Sequence, residues 1–204
     1  MKAFRVVVAL VVLFSVGLTS WLLLDRERAG ESFGHPWSKP APDFSLTNQD
    51  DQPFQLSSLR GDVVLLTFGF THCPNICPTT LANLAAIHRR LPPAEQPKVR
   101  TVFVSVDPAR DTPEVLKDYV PFFDPSFVGV TGSPAEIARV AKDYGVSYEN
   151  VYQQSNDAKN YYTVNHSTYI YLIDARGHLR LFFDPEQLHD ANRVIAEIER
   201  ALRG

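Results

Sequence analysis

Cys73 and Cys77 are the only thiols among 204 residues. They lie in Phe68-Gly69-Phe70-Thr71-His72-Cys73-Pro74-Asn75-Ile76-Cys77-Pro78, with three residues between them. A thiol pair can ligate a soft metal, exchange disulfides or staple a fold. On a helix, residues four apart share a face, with Cβ atoms about 5–6 Å apart. A disulfide wants about 3.5–4.5 Å. Two sulfurs held at about 2.3 Å from one ion accommodate the wider separation. Pro74 and Pro78 make the turn less regular, so the spacing favours chelation without forbidding oxidation. It is not the Cys-x-x-Cys of dithiol oxidoreductases. An inert staple is the weakest reading, because so short a loop constrains the unfolded chain little.

Two thiolates do not complete a site, and six histidines could supply a third ligand. His35, His178 and His189 fall in polar, turn or helix-start contexts where a solvated ring is expected. His88 reads as a partly buried surface residue of the helix after the cysteines. His72 adjoins Cys73, a position from which a side chain points away. His166 differs: it ends Tyr162-Thr163-Val164-Asn165-His166, just before the apolar run Thr168–Asp174, and reads equally as a ligand or as a hydrogen-bonding loop residue. A Cys, Cys, His set with a weak or absent fourth ligand suits copper in either oxidation state. Asp107, in Ser105-Val106-Asp107-Pro108-Ala109-Arg110-Asp111-Thr112-Pro113, reads as a turn residue, or as a carboxylate that orients a ligand or helps a partner dock. Asp111 reads as a plain turn or cap residue.

The flanking sequence says what must position these groups. Val63–Phe68 is apolar and β-branched, a buried strand. Leu81, Leu84, Ala85, Ile87, His88 and Leu91 recur at helical spacing after the cysteines. The thiols thus occupy a strand-to-helix turn, where N–H groups and the helix dipole favour thiolate. Upstream, Asp43–Leu46 and Phe54–Leu56 around a polar turn predict a hairpin. Downstream, Val99–Val106 is a second buried strand. Thr112-Pro113-Glu114 starts a helix that Pro121 should close. Phe127–Val130 is a short strand, and Ser133-Pro134-Ala135-Glu136 is a capping box opening a helix that ends at Tyr144-Gly145. Ser147–Tyr162 reads as a strand remnant and a mobile loop. Thr168–Asp174 and Leu179–Phe183 form a hairpin, and Leu188, Val194, Ile195, Ile198 and Leu202 mark a final amphipathic helix. Alternating strands and helices imply a parallel sheet that finishes on an antiparallel hairpin, hence an α/β mixed sheet flanked by helices. A thiol pair on its first strand-to-helix turn is the thioredoxin-like arrangement, whose active groups gather at the carboxyl ends of the strands.

The chain's start is set apart. Val6–Leu24 runs without a charge behind Lys2 and Arg5, close to the ~20 residues that cross a bilayer. Bulky Trp21-Leu22-Leu23-Leu24 makes a poor cleavage site, so a signal anchor over 1–24 is expected, with a cleaved signal peptide as the alternative. Residues 25–40 read as a tether and 41–204 as the domain. Residues 1–24 hold two of the 20 basic residues and none of the 23 acidic ones, which leaves the remainder at a net charge of −5. Nucleic acid is therefore an unsuited partner. With the basic start kept inside, the domain lies in the periplasm of a bacterial inner-membrane protein of single-pass topology. That compartment is oxidising, and there a cysteine pair is by default a disulfide.

With Phe70–Pro78, Val106–Thr112 and Val164-Asn165-His166 together, residues 41–203 resemble the Sco/SenC family in motif, order and spacing. The resemblance implies a membrane-anchored, thioredoxin-like copper protein that helps assemble the dinuclear copper centre of cytochrome c oxidase subunit II. It implies copper ligands at Cys73, Cys77 and His166, with Asp107 an associated acidic residue. Its partners would be that subunit and other periplasmic copper or thiol-redox proteins. One departure is Asn75, where the family commonly has Asp. Thr168 also lacks the preceding proline with which thioredoxins grip peptides, which counts against a general disulfide exchanger. Two functions follow as expectations: a copper metallochaperone, or a reductase keeping the target's cysteines reduced. A peroxidase is weaker, with no activating arginine marked beside a peroxidatic cysteine.

Overall fold

The computed structural model describes Ser15, residues 32–152 and residues 162–203. The anchor expected over 1–24, Ser15 apart, and the first part of the tether, 25–31, lie outside these residues. Among the described residues, no helix is long and apolar enough to cross a membrane. Contacts divide the chain into two units, Met1–Phe33 and Gly34–Gly204. The second carries every strand among the described residues.

Eight strands form one mixed sheet. In chain order they are β1 (His35–Pro40), β2 (Ser45–Asn48), β3 (Pro53–Gln55), β4 (Val63–Gly69), β5 (Val99–Ser105), β6 (Val128–Thr131), β9 (Ile170–Ile173) and β10 (His178–Phe183). Among the described residues, β7 (Tyr148–Tyr152) and β8 (Tyr162–His166) pair only with each other, as a separate antiparallel ribbon. The sheet order is β1-β10-β9-β4-β5-β6-β2-β3, with β4, β5 and β6 parallel and the other pairs antiparallel. The helices are α1 (Ile76–Arg90), α2 (Pro113–Phe123), α3 (Pro134–Asp143) and α4 (Ala191–Arg203). α1 packs beside α2 and α4, while α4 also touches β4 and β9.

Every residue of β4 is buried, as a central strand covered on both faces requires. Its partner β5 is buried except for Arg100. The predicted hairpin is β2–β3, and the capping box of α3 makes both of its bonds, Ser133 with Glu136. Gly145 follows α3 at φ +68°, a left-handed turn that glycine adopts freely.

Three expectations are corrected. His35–Pro40, assigned to the tether, is edge strand β1, seated on β10. An edge strand needs only one side of its backbone paired, so Pro36 and Pro40 are tolerated. His35 stacks on Phe182, and Trp37 meets Phe182 and Tyr171 edge-on. α2 does not close at Pro121 but runs through it to Phe123. A proline there removes one hydrogen bond from the last turn, where the helix has little left to lose. Lastly, Cys73 precedes α1, whose first residue is Ile76, so only Cys77 is helical.

Candidate metal centre

The chain leaves β4 at Gly69 and must turn sharply before α1. Phe70, 1 % exposed, anchors the turn in the core. The Cys73 N–H donates to the Phe70 carbonyl, and the Cys77 N–H at the start of α1 donates to the Cys73 sulfur at 3.5 Å. Pro78 occupies the first turn of the helix, where its missing N–H would have had no partner. Gly69 allows the close packing: a Cβ built there would lie 2.8 Å from the Cys77 sulfur and 2.6 Å from the Phe103 ring.

His166 reaches this turn from the far end of the chain. β8 ends on it, and its Nε2 lies 3.5 Å from the Cys77 Sγ. Its Nδ1 is 2.8 Å from the Ser167 carbonyl, which can only accept, so Nδ1 carries the hydrogen. On the neutral ring that leaves the Nε2 lone pair facing the sulfurs. Phe70 meets the imidazole edge-on at 5.8 Å between centroids. The ligand atoms of Cys73, Cys77 and His166 all lie within 4.8 Å of one another. An ion about 2.3 Å from each sulfur and about 2.0 Å from the nitrogen would span those separations with only a small contraction.

The two thiols differ in environment. Cys73 is half-buried and Cys77 buried. A hydrogen bond from Cys77 holds the Cys73 thiol well below the ordinary thiol range, helped by the backbone of Cys77 and Asn75, against the cost of partial burial. Cys77 is pushed up, because its proton serves Cys73 and because burial penalises a second charge. Negative charge on the pair is thus favoured at the more exposed sulfur, Cys73, over the buried Cys77. A bound cation would remove that asymmetry, since both ligands must be deprotonated to coordinate.

The loop between β5 and α2 braces the site. Asp111, fully buried, accepts the Thr71 N–H (3.0 Å), the Thr71 hydroxyl (2.6 Å) and the Ser105 hydroxyl (2.6 Å). It locks the cysteine turn to the end of β5, a role its reading as a plain turn residue missed. Asp107 is 2 % exposed and stands outside the sulfur–imidazole cluster. Its carboxylate takes the Tyr162 hydroxyl on one oxygen and Arg110 on the other. Arg110 and Tyr162 were not candidates from sequence; the density of Asp and Arg in Asp107–Asp111 was the only signal there. His88 is buried rather than at the surface, bonding Asp124 at 2.9 Å and the Gln96 carbonyl at 3.0 Å. His72 bonds Thr71 and stays out of the cluster.

A model of the SCO1/SenC family matches residues 36–203. The chain belongs to that family. A SCO2-like protein of Rickettsia felis is 39 % identical over 142 residues, 69 % of this chain and 68 % of that protein. Apo Sco1 of Thermus thermophilus aligns with a TM-score of 0.75 at 37 % identity, covering 83 % of this chain and 96 % of the other. ScoI of Bradyrhizobium japonicum, solved with copper bound, gives 0.69 at 36 % identity, covering 79 % and 99 %. Membership fixes the fold as the thioredoxin-like α/β architecture of the Sco proteins.

Proposed function

We propose that this SCO1/SenC member is a copper metallochaperone. It holds one copper ion through the Cys73 and Cys77 thiolates and the His166 imidazole, and passes it on by ligand exchange. The observation that carries the reading is the meeting of two sulfurs and one free ring nitrogen within 4.8 Å, a soft donor set suited to copper. Copper bound in a relative of the same fold supports it. A half-buried Cys73 gives an incoming ligand a point of attack beside the buried Cys77. Asp107 contributes through its neighbours rather than as a ligand. The cargo's destination, on this reading, is the dinuclear copper centre of cytochrome c oxidase subunit II during assembly. Residues 6–24 would hold the protein in the bacterial inner membrane, with the domain in the periplasm. Titration of the reduced protein should give a one-to-one copper complex whose thiolate charge-transfer spectrum collapses in His166→Ala. Undiminished binding by that variant would falsify the assigned site.

A second reading draws on the thiolate–thiol asymmetry. An accessible thiolate beside a buried thiol is also the equipment of a reductase, the first attacking a disulfide and the second resolving the mixed disulfide. The metal-free dithiol would then reduce an oxidised two-cysteine peptide, and His166→Ala would retain that activity. A dithiol inert towards such a peptide removes this reading and leaves the first intact.

A further inference from the structure

The ribbon that carries His166 is not part of the main sheet. Among the described residues, β7 and β8 pair only with each other, and an isolated two-stranded ribbon is marginal in water. Its root is held where Ser167 N donates to the Ser147 carbonyl and Ser147 N to the Ser167 hydroxyl. Val164 is the one buried residue among those described in the two strands, so apolar packing contributes little to holding it down. The other end of β8 is gripped at Tyr162. Its hydroxyl donates to Asp107 Oδ1 at 2.6 Å. Arg110 Nη1 donates to its carbonyl at 2.9 Å, and the guanidinium lies 3.8 Å from its ring centroid. Arg110 is itself fixed by Asp107 Oδ2, and sits 5.8 Å from the ring of Phe70, which meets His166 edge-on.

We infer that Arg110 and Tyr162, acting through Asp107, are positioning residues for His166: they latch its ribbon over the two thiols. With the latch closed, Nε2 stays against the sulfurs. With it open, the ribbon hinges at Ser147–Ser167 and the site falls back to two thiols. The metal-dependent part of the proposal rests on the copper reading above; the latch itself does not.

Two variants test it. Tyr162→Phe removes the hydroxyl but keeps the ring, and Arg110→Lys keeps the charge beside Asp107 but loses the planar stack and the donor to Tyr162. In the metal-free reduced protein, hydrogen exchange of the β8 amides should quicken about tenfold in Tyr162→Phe, as expected for losing one hydrogen bond to a charged group. β4 and β5 should exchange as in the wild type. The copper(II) form should bind about tenfold more weakly, with the nitrogen hyperfine signal of His166 and the thiolate charge-transfer band both diminished. Arg110→Lys should move both readouts in the same direction. Unchanged β8 exchange in both variants overturns the latch, and so does exchange raised uniformly across the main sheet. Faster β8 exchange with an undiminished nitrogen signal overturns the positioning role. Should the wild type bind no copper, the copper reading fails and β8 exchange alone decides the latch.

Discussion

Replacing Asp111 with alanine should loosen the cysteine turn without unfolding the domain. The carboxylate is fully buried and receives three hydrogen bonds. In Asp111→Ala the Thr71 N–H loses its acceptor, an orphaned backbone donor costing about 1–3 kcal/mol. The Thr71 hydroxyl can turn to His72 Nδ1, already 3.1 Å away, so its loss is partly recovered. The Ser105 hydroxyl still accepts the Asp107 N–H, but its hydrogen is stranded, adding about 1 kcal/mol. Against these stands relief from burying a charge: burial raises the Asp111 pKa even though its hydrogen bonds lower it. The balance is a loss of about 3 kcal/mol, which a domain of ordinary stability, about 5–15 kcal/mol, survives. Asp111→Asn keeps one acceptor oxygen for Thr71 N and Ser105, and should cost only about 1 kcal/mol. Because the folded-state pKa of Asp111 is raised, its favourable contribution is fully present below 3.8 and is lost as pH rises through the folded value. The wild type's advantage over the Asp111→Asn variant should therefore be largest in acid. Urea denaturation of the reduced, metal-free proteins across pH measures all of this. An alanine variant within about 0.5 kcal/mol of the wild type, the range of an ordinary surface substitution, would refute the lock.

Gly69→Ala places a methyl 2.6 Å from Phe103 and 2.8 Å from the Cys77 sulfur; it should cost about 1–3 kcal/mol and weaken copper binding by displacing that sulfur, and an unaltered melting temperature and affinity contradict the packing described. Burial works to raise the Asp124 pKa, but hydrogen bonds from the Ser126 side chain and backbone and from His88 bring it below 3.8. Its contribution to stability is therefore present above 3.8 and lost as pH falls through the folded value, so Asp124→Asn should show a shallower loss in acid. Identical acid slopes in urea titrations of the two proteins would dismiss that assignment.

What the sequence made legible was whatever depends on local chemistry. Val63–Phe68 had to be a covered strand, because only burial on both faces suits so continuous an apolar run. Ser133 and Glu136 announced their helix by completing each other's end bonds. His166 stood out through its position before an apolar strand. What stayed hidden depends on partners distant in the chain. Asp111 meets Thr71 across 40 positions, and Arg110 meets Tyr162 across 52; neither pairing leaves a periodic trace. β1 was hidden for another reason: its prolines and polar residues signal a linker, and only β10 and the aromatic side chains on it make the segment a strand. Helical spacing of the two cysteines is a premise the fold does not meet, since Cys73 lies outside α1. The chelating distance comes instead from the bend between β4 and α1.

Two carboxylates four residues apart hold the two halves of this site. Asp111 fixes the turn that carries both cysteines, and Asp107, through Tyr162 and Arg110, fixes the ribbon that carries His166. Both belong to one loop, and that loop is itself pinned where Val106 N donates to the Gly69 carbonyl at 2.8 Å. The sulfurs therefore have a short brace, one buried carboxylate bonded three times to the cysteine turn and the end of β5, whereas the imidazole has a longer one that ends on a tyrosine in a ribbon outside the main sheet. If the longer brace yields first, the nitrogen leaves before the sulfurs do. A metal held by this site would then lose its imidazole first, becoming a two-thiolate complex with an open side. That is the form in which ligand exchange with another protein's thiols is least obstructed, and the same opening exposes the pair to oxidation.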